Sequence, residues 1–227
     1  MSKWQPRVVD VEGRFVAASN TTLLGRTGAG ERVVYKPSAG ETPLWDFESE
    51  TLAIREVLTY ETSHALGFDI VPETVLGDGV YGPGSIQRFV EVDETFNPLT
   101  MVRRSDESLW PVALLDLICN NADRKLGHIL RKTDAALVAI DHGLTFHSQD
   151  KLRTVLWVFA GETIPTDIQD RLRTFAGDPL DILTARIRSA LSRGEAKALR
   201  RRVEWLLADP RHPQPPDDRP AIPWPPY

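Results

Sequence analysis

The sequence predicts an α+β protein with two lobes, a small β-rich lobe followed by a mostly helical one. In residues 1–92, short apolar runs alternate with turns rich in Gly and Pro, and one amphipathic helix interrupts them. Helical periodicity dominates residues 93–208, around one predicted β-hairpin near residues 129–140. Acidic and histidine side chains flank that hairpin, so we expect the functional site at its open end.

Composition and charge exclude several classes of protein. The 227 residues are 41% hydrophobic and 26% charged, which is ordinary for a globular domain. The net charge of −5 gives no reason to expect nucleic-acid binding. The single cysteine, Cys119, excludes an internal disulfide framework and fits the reducing cytoplasm, where we expect the protein. No apolar run approaches the roughly 18 residues of a transmembrane span.

The first lobe begins with a strand–turn–strand pattern that carries a candidate phosphate loop. Strands are predicted near Gly13–Val16, Leu23–Leu24 and Arg32–Pro37. Between the first two lies a loop of small and hydroxyl residues, which offers backbone N–H groups and hydroxyls to phosphates. Residues of this type also occur in turns for conformational reasons alone. The candidate phosphate ligands are Ser19, Asn20 and Thr21.

Lys36 and Glu56 are a candidate ion pair in this lobe. Lys36 shares a strand face with Val34, so its ammonium points where an apolar side chain is expected. Glu56 lies near the apolar stripe of a helix predicted over Glu48–Leu66. The plainer alternatives are a lysine that extends to solvent and a surface pair between Glu56 and Arg55.

The remaining segments are predicted to form two strands, a hinge, four helices and a tail. Two more strands are predicted over Phe68–Leu76 and Gly84–Val90, followed by a polar, irregular hinge at residues 93–108. The Pro-rich tail, residues 209–227, is expected to be extended or disordered and available to a protein partner. Helices are predicted at Leu109–Asn120, Asp167–Phe175, Leu180–Leu191 and Glu195–Leu207.

The hairpin brings two polar loops together. Its strands are predicted over Ile129–Lys132 and Leu137–Ile140, so the start of the first lies beside the end of the second. The loop with Asp123 and His128 therefore adjoins the loop that begins with Asp141. These side chains can hold a divalent cation and a hydroxyl nucleophile, although acidic hairpin ends are also found simply solvated.

The order of these residues resembles an atypical branch of the protein-kinase-like fold. That order is strand lysine, helix glutamate, hinge, D-R-x-x-x-ligand, hairpin and D-x-G. The run LLDLICNNADR at residues 114–124 and AIDHGL at residues 139–144 resemble the phosphatidylinositol 3/4-kinases, especially the type II 4-kinases, with HipA-type kinases as cousins. The Tyr35–Pro37 and Leu44–Phe47 stretches are similar to an actinobacterial branch of that family.

The resemblance implies ATP and Mg²⁺ or Mn²⁺ as cofactors and an alcohol as acceptor. Lys36 would contact the α- and β-phosphates and pair with Glu56, while Asp123 would orient or deprotonate the acceptor hydroxyl. Asp141 would hold the metal, and the phosphate loop would lie over the phosphates. The adenine-binding hinge would comprise Gln87, Phe89 and Val90.

One position departs from the kinase pattern. Kinases carry asparagine five residues after the catalytic aspartate, as a second metal ligand, and here that residue is His128. A neutral imidazole suits Mn²⁺ better than Mg²⁺. The alternatives to an active kinase are a nucleotide-binding pseudokinase and an enzyme that transfers AMP. The acceptor remains open among lipid headgroups, soluble inositol- or sugar-like alcohols and proteins.

Overall fold

A computed structural model describes residues 4–16 and 20–227 and confirms the predicted α+β architecture. The N-terminal part is an antiparallel sheet of five strands, which are β1 (Val8–Arg14), β2 (Leu23–Thr27), β3 (Arg32–Pro37), β4 (Thr74–Gly79) and β5 (Gly82–Arg88). Their order in the sheet is β1-β2-β3-β5-β4. Strand β4 begins later than predicted, because Asp69 has a positive φ of 51° and Pro72 has no N–H to pair.

Alternation along β3 places Lys36 as predicted. Val33 and Tyr35 are fully buried in the small core of this sheet, with Ile86 opposite. Val34 and Lys36 therefore share the other face, which turns Lys36 towards the helix that follows.

That helix, α1 (Leu52–Ala65), begins four residues later than predicted and carries two buried charges. Gly67, at φ +67°, ends it in the left-handed conformation that favours glycine. Arg55 does not form the surface pair with Glu56. Its guanidinium is buried, lies 2.7 Å from Glu195 and donates to Thr145 O, so α1 is fixed to the second lobe.

The second lobe packs helices around a short hairpin, β6 (Ile129–Arg131) and β7 (Leu137–Ala139). A short helix, α2 (Pro98–Arg103), forms in the stretch predicted to be irregular, because the Asn97 side chain caps it and Pro98 occupies its first turn. The large core of this lobe includes residues from all of its longer helices. These are α3 (Trp110–Cys119), α4 (Thr166–Phe175), α5 (Asp178–Ala190) and α6 (Arg193–Ala208).

The Pro-rich tail is extended, but it is docked along the second lobe instead of being disordered. Ala221 O accepts hydrogen bonds from Thr154 N and from the Trp157 indole, at 3.1 and 2.8 Å. Pro226 O accepts one from Leu126 N at 2.8 Å. A proline-rich strand supplies few donors, so the lobe donates to the tail's carbonyls instead.

The boundary between lobes at residues 92/93 stays a prediction. Among residues 4–16 and 20–227, none of the helices has the length and apolar character needed to cross a bilayer.

Candidate active site

The hairpin brings the two polar loops together, as predicted. Ile129 pairs with Ala139 across the two strands, and Ile140 N donates to His128 O at 3.0 Å. His128 Nε2 consequently lies 3.3 Å from Asp141 Oδ2. Asp141 itself has φ +62°, a left-handed conformation that aspartate tolerates better than most residues and that is frequent at functional sites.

Lys36 links the two lobes through two carboxylates. Its ammonium lies 2.5 Å from Glu56 Oε1 on α1 and 2.8 Å from Asp141 Oδ1 at the end of the hairpin. Burial disfavours the charged amine, but the charges of Asp141 and Glu56 outweigh that cost and raise the pKa of Lys36. Burial likewise opposes the charge of Asp141, while Lys36 and His128 lower its pKa, so it remains a carboxylate.

Arg124 and Asp116 hold both polar loops on the helical lobe. Arg124 is fully buried, and its Nη2 lies 2.9 Å from Asp116 Oδ1 in the middle of α3. The same guanidinium donates to Ile140 O at 2.9 Å, immediately before Asp141. One buried cation therefore fixes the position of Asp123, its chain neighbour, relative to Asp141.

Asp123 is placed as a candidate base. Its backbone N–H donates to Asn121 Oδ1 at 3.0 Å, and its carboxylate lies 3.3 Å from Lys125 Nζ. Burial raises the pKa of Asp123, an effect that Lys125 opposes and Asp141 reinforces. A carboxylate with a raised pKa accepts a proton more readily than an exposed aspartate does.

His128 and His142 are both neutral imidazoles. Burial lowers the pKa of His128 to about 4. His142 is completely buried next to Asp141, and burial lowers its pKa well below the usual value. Neither ring nitrogen of His142 has a hydrogen-bond partner among the described residues, and its Nδ1 is 4.0 Å from Glu56 Oε2.

A cleft of about 270 Å³ lies between these groups. Asn20 and Thr21 line it together with Lys36, as the phosphate-loop hypothesis requires, whereas Ser19 lies outside the described residues. Asn20 Oδ1 accepts a hydrogen bond from Thr42 N, so the loop after β3 is fastened to the phosphate loop. The further lining residues include Glu41, Leu44, Leu52, Glu56, Ser85, Asp123, Asp141 and Leu144.

The three predicted hinge residues do not line this cleft. Gln87 is buried, and its side-chain amide donates to Thr74 Oγ1. Phe89 N donates to Arg32 O, and the Arg32 guanidinium lies 4.3 Å from the centre of the Phe89 ring. No backbone hydrogen bond to the Val90 N–H is present within the described part of the chain. An adenine-binding role for these residues stays a prediction.

The side chains at the hairpin fit a nucleotide-bound metal ion. The described residues contain no group of three or more His, Cys, Asp or Glu side chains that would hold a metal by themselves. Mg²⁺, however, is bound in phosphotransferases by one or two carboxylates together with substrate phosphates. Asp141 with His128 beside it provides a donor set of that size.

Sequence reasoning missed the Asp116–Arg124 pair and the loop at residues 41–44. Asp116 interrupts a helix whose other residues from Val112 to Cys119 are apolar and buried. A carboxylate in such a run indicates a buried partner, and that signal was available in the sequence. The loop at residues 41–44 carries no periodicity, and only its fold places it beside the cleft.

The buried histidines predict acid sensitivity. The pKa values of His128, His142 and His212 are all lowered by burial. Below pH 6.5 these histidines bind protons in the unfolded chain but not in the folded one. The stability that they contribute is therefore complete above that pH and is lost as the pH falls towards 4. We expect His128 alone to contribute a loss of about 1–2 kcal/mol at pH 5.

Urea unfolding at pH 7 and pH 5 measures this loss of stability. His128→Asn should reduce it, and equal stability at both pH values would contradict the assignment.

Solved structures with the same fold are kinases. The Helicobacter pylori proinflammatory kinase CtkA aligns with a TM-score of 0.56 at 14% identity, covering 88% of this chain and 94% of that one. The Golgi casein kinase aligns at 0.57 and 15%, covering 90% and 72%, and one of its structures has Mn and ADP bound. Hydra Fam20, solved with sugar, aligns at 0.55 and 12%, covering 90% and 83%. These likenesses confirm the kinase-like fold.

Sequence similarity identifies the family. No protein-family model matches the sequence. Protein Rv2133c of Mycobacterium tuberculosis (strain ATCC 25618 / H37Rv) is 37% identical over 257 aligned positions, which cover 95% of this chain and 91% of the relative. Similarity at that level over nearly the whole of both chains indicates common descent. This chain belongs to the same family as Rv2133c.

Proposed function

We propose that this protein is an ATP-dependent phosphotransferase that moves the γ-phosphate to an alcohol. One observation carries the proposal: Lys36, Asp141 and Asp123 meet in a single cleft, each held there by a buried partner. Phosphoryl transfer needs little covalent help from a protein. It needs the phosphates held in line, their charge neutralised and the nucleophile positioned, and these three side chains match those needs.

The nucleotide would lie along β3 with its phosphates towards Lys36. Lys36, held by Glu56, would bind the α- and β-phosphates, and Asn20 and Thr21, which line the same cleft, would cover them. The Val90 N–H, which donates to no backbone carbonyl of the described residues, would suit an adenine edge. The Golgi casein kinase, which has this fold, has been solved with Mn and ADP.

Asp141 and His128 would hold Mg²⁺ or Mn²⁺. When bound, the metal ion neutralises phosphate charge and so favours attack by an alcohol. The neutral imidazole of His128 makes Mn²⁺ the better match of the two. Asp123 would orient the acceptor hydroxyl and accept its proton, a role for which burial has raised its pKa.

The acceptor would be a hydroxyl of a small molecule, a lipid headgroup or a protein. A type II phosphatidylinositol 4-kinase-like activity would explain why the catalytic-loop and D-x-G sequences resemble those of that family. A nucleotide-binding pseudokinase is the second candidate. It is favoured by the contacts of Asp141, because Lys36 and His128 each lie close to one of its two oxygens and compete there with a metal ion.

Transfer of label from γ-³²P-ATP to a panel of alcohols, with Mn²⁺ and with Mg²⁺, tests the proposal. We expect label in an acceptor with the wild type, and a loss of at least about 100-fold with Asp123→Asn. The matched control is Asp134→Asn, in the exposed turn of the hairpin, where activity should persist. Nucleotide binding without transfer would support the pseudokinase instead. An acceptor that gains the mass of AMP would identify nucleotidyl transfer.

Lys36→Ala should weaken phosphate binding without unfolding the protein. We expect kcat/KM for ATP to fall by at least about tenfold, because a charge-assisted contact to the phosphates is lost. Steady-state kinetics at varied ATP measures the change, and the thermal unfolding midpoint checks the fold. Lys132→Ala, which removes a half-buried lysine paired with Asp134, is the control. Unchanged ATP kinetics in Lys36→Ala would refute the assignment.

A further inference from the structure

A short pair of extended segments forms one wall beside Asp123. Residues 121–125 and 151–155 run parallel, with Arg124 bridged to Thr154. Arg153 N donates to Asn121 O, Arg124 N donates to Arg153 O, and Val155 N donates to Arg124 O, at 3.0 to 3.1 Å. This register places Arg153 directly beside Asp123.

Alternation along the two segments separates a buried face from an outer face. Arg124, Thr154 and Leu152 point inward, and their exposed fractions are 0%, 1% and 6%. Their neighbours in the chain therefore point the other way, since successive side chains of an extended segment alternate. The outer face, which we call the basic face, consists of Lys125, Lys151 and Arg153, with Asp123 among them.

The charges on the basic face are not balanced. Lys125 lies 3.3 Å from Asp123, and Lys151 lies 3.2 Å from Asp46. Arg153 has no carboxylate within ion-pair distance among residues 4–16 and 20–227, although its positive charge helps to lower the pKa of Asp123. Of the three cations on the basic face, Arg153 is therefore the one without a paired carboxylate among the described residues, in a protein whose net charge is −5. The surplus positive charge is half-buried and adjoins the proposed catalytic base.

We propose that Arg153, with Lys125 and Lys151, binds a phosphate group of the acceptor, which is a small phosphorylated alcohol. This inference rests on the proposed phosphotransferase function and specifies its substrate. A guanidinium binds two phosphate oxygens at once, and nearby lysines add charge. Because Arg153 is beside Asp123, the recognised phosphate would lie close to the hydroxyl that Asp123 orients.

The cleft, which the basic face adjoins at Asp123, is consistent with a small acceptor. Leu44 and Leu144 line it with apolar surface that a carbon skeleton would cover. The whole cleft is about 270 Å³, and nucleotide phosphates would take part of it. A phosphate dianion also matches the guanidinium of Arg153 better than a single carboxylate of an acidic peptide does, because it carries more negative charge.

Binding measurements test the inference without requiring turnover. The protein is loaded with a non-hydrolysable ATP analogue and Mn²⁺ and titrated calorimetrically with glycerol 3-phosphate and with myo-inositol 1-phosphate. We expect the wild type to bind one of them at least about tenfold more tightly than glycerol or myo-inositol. Arg153→Gln should weaken that binding by about tenfold or more, and Arg153→Lys should retain part of it.

Arg188→Gln is the matched control, because it removes the same charge from an exposed position on α5 and should leave binding unchanged. Equal affinity in wild type and Arg153→Gln, or no preference of the wild type for either phosphorylated alcohol, would overturn the inference. So would tighter, Arg153-dependent binding of a serine peptide flanked by aspartates, or of phosphatidylinositol in phosphatidylcholine vesicles. Arg153-dependent binding without phosphate transfer would instead refute only the phosphotransferase function.

Discussion

Asp141→Asn is expected to abolish metal-dependent phosphate transfer while leaving the fold intact. The substitution preserves the size of the side chain but removes the charge that Lys36 and His128 contact and that a metal ion requires. We expect a fall in kcat of at least about 100-fold, the usual scale for a lost electrostatic group at a reacting phosphate or oxyanion. Label transfer at saturating ATP and Mn²⁺ measures it.

Metal-dependent nucleotide binding should disappear together with activity. In the wild type, Mn²⁺ should raise the thermal unfolding midpoint in the presence of an ATP analogue, and Asp141→Asn should abolish that increment. Asp134→Asn, which makes the same chemical change at an exposed turn, should behave like the wild type. A variant at position 141 that retains both the increment and the activity would rule out Asp141 as the metal ligand.

Asp116→Ala should be the most destabilising single change of a charged residue in the second lobe. It leaves the guanidinium of Arg124, which is 0% exposed, buried without its carboxylate partner. Removing one partner of a buried ion pair costs about 3–5 kcal/mol. Arg124 also anchors the carbonyls of Ile140 and His128, so activity should fall together with stability.

Urea unfolding measures this effect, and Asp181→Ala supplies the comparison. Asp181 pairs with Arg200 at 2.5 Å, but its side chain is 66% exposed, so its loss should cost about 1 kcal/mol or less. Similar losses of stability in the two variants would mean that Arg124 is stabilised by something other than Asp116.

The hairpin and the strand face of Lys36 were predictable because they follow local rules. Period-two alternation in β3 placed Lys36 beside Val34, and the antiparallel geometry of β6 and β7 placed His128 beside Asp141. Glu56 was predicted from its place near an apolar stripe, and the plainer alternative of a surface pair with its neighbour Arg55 does not form. The partner of a charged residue on a helix depends on elements that are distant in the sequence. For Arg55 that partner is Glu195 on α6.

Features that depend on contacts between residues distant in the sequence were not predicted. The parallel bridge between Arg124 and Thr154 joins segments 30 residues apart and has no periodic signature, yet it places Arg153 beside Asp123. The docking of the tail was missed for a similar reason. A proline-rich composition indicates that the segment cannot build a core, but not that Trp157 and Leu126 will donate to its carbonyls.

A crystal structure of the protein with an ATP analogue and Mn²⁺ tests the central claim most directly. We predict phosphates between Lys36 and the loop at Asn20 and Thr21, with the metal on Asp141 and the γ-phosphate facing Asp123. A nucleotide bound elsewhere, or a metal ion that does not touch Asp141, would contradict the proposed phosphotransferase site.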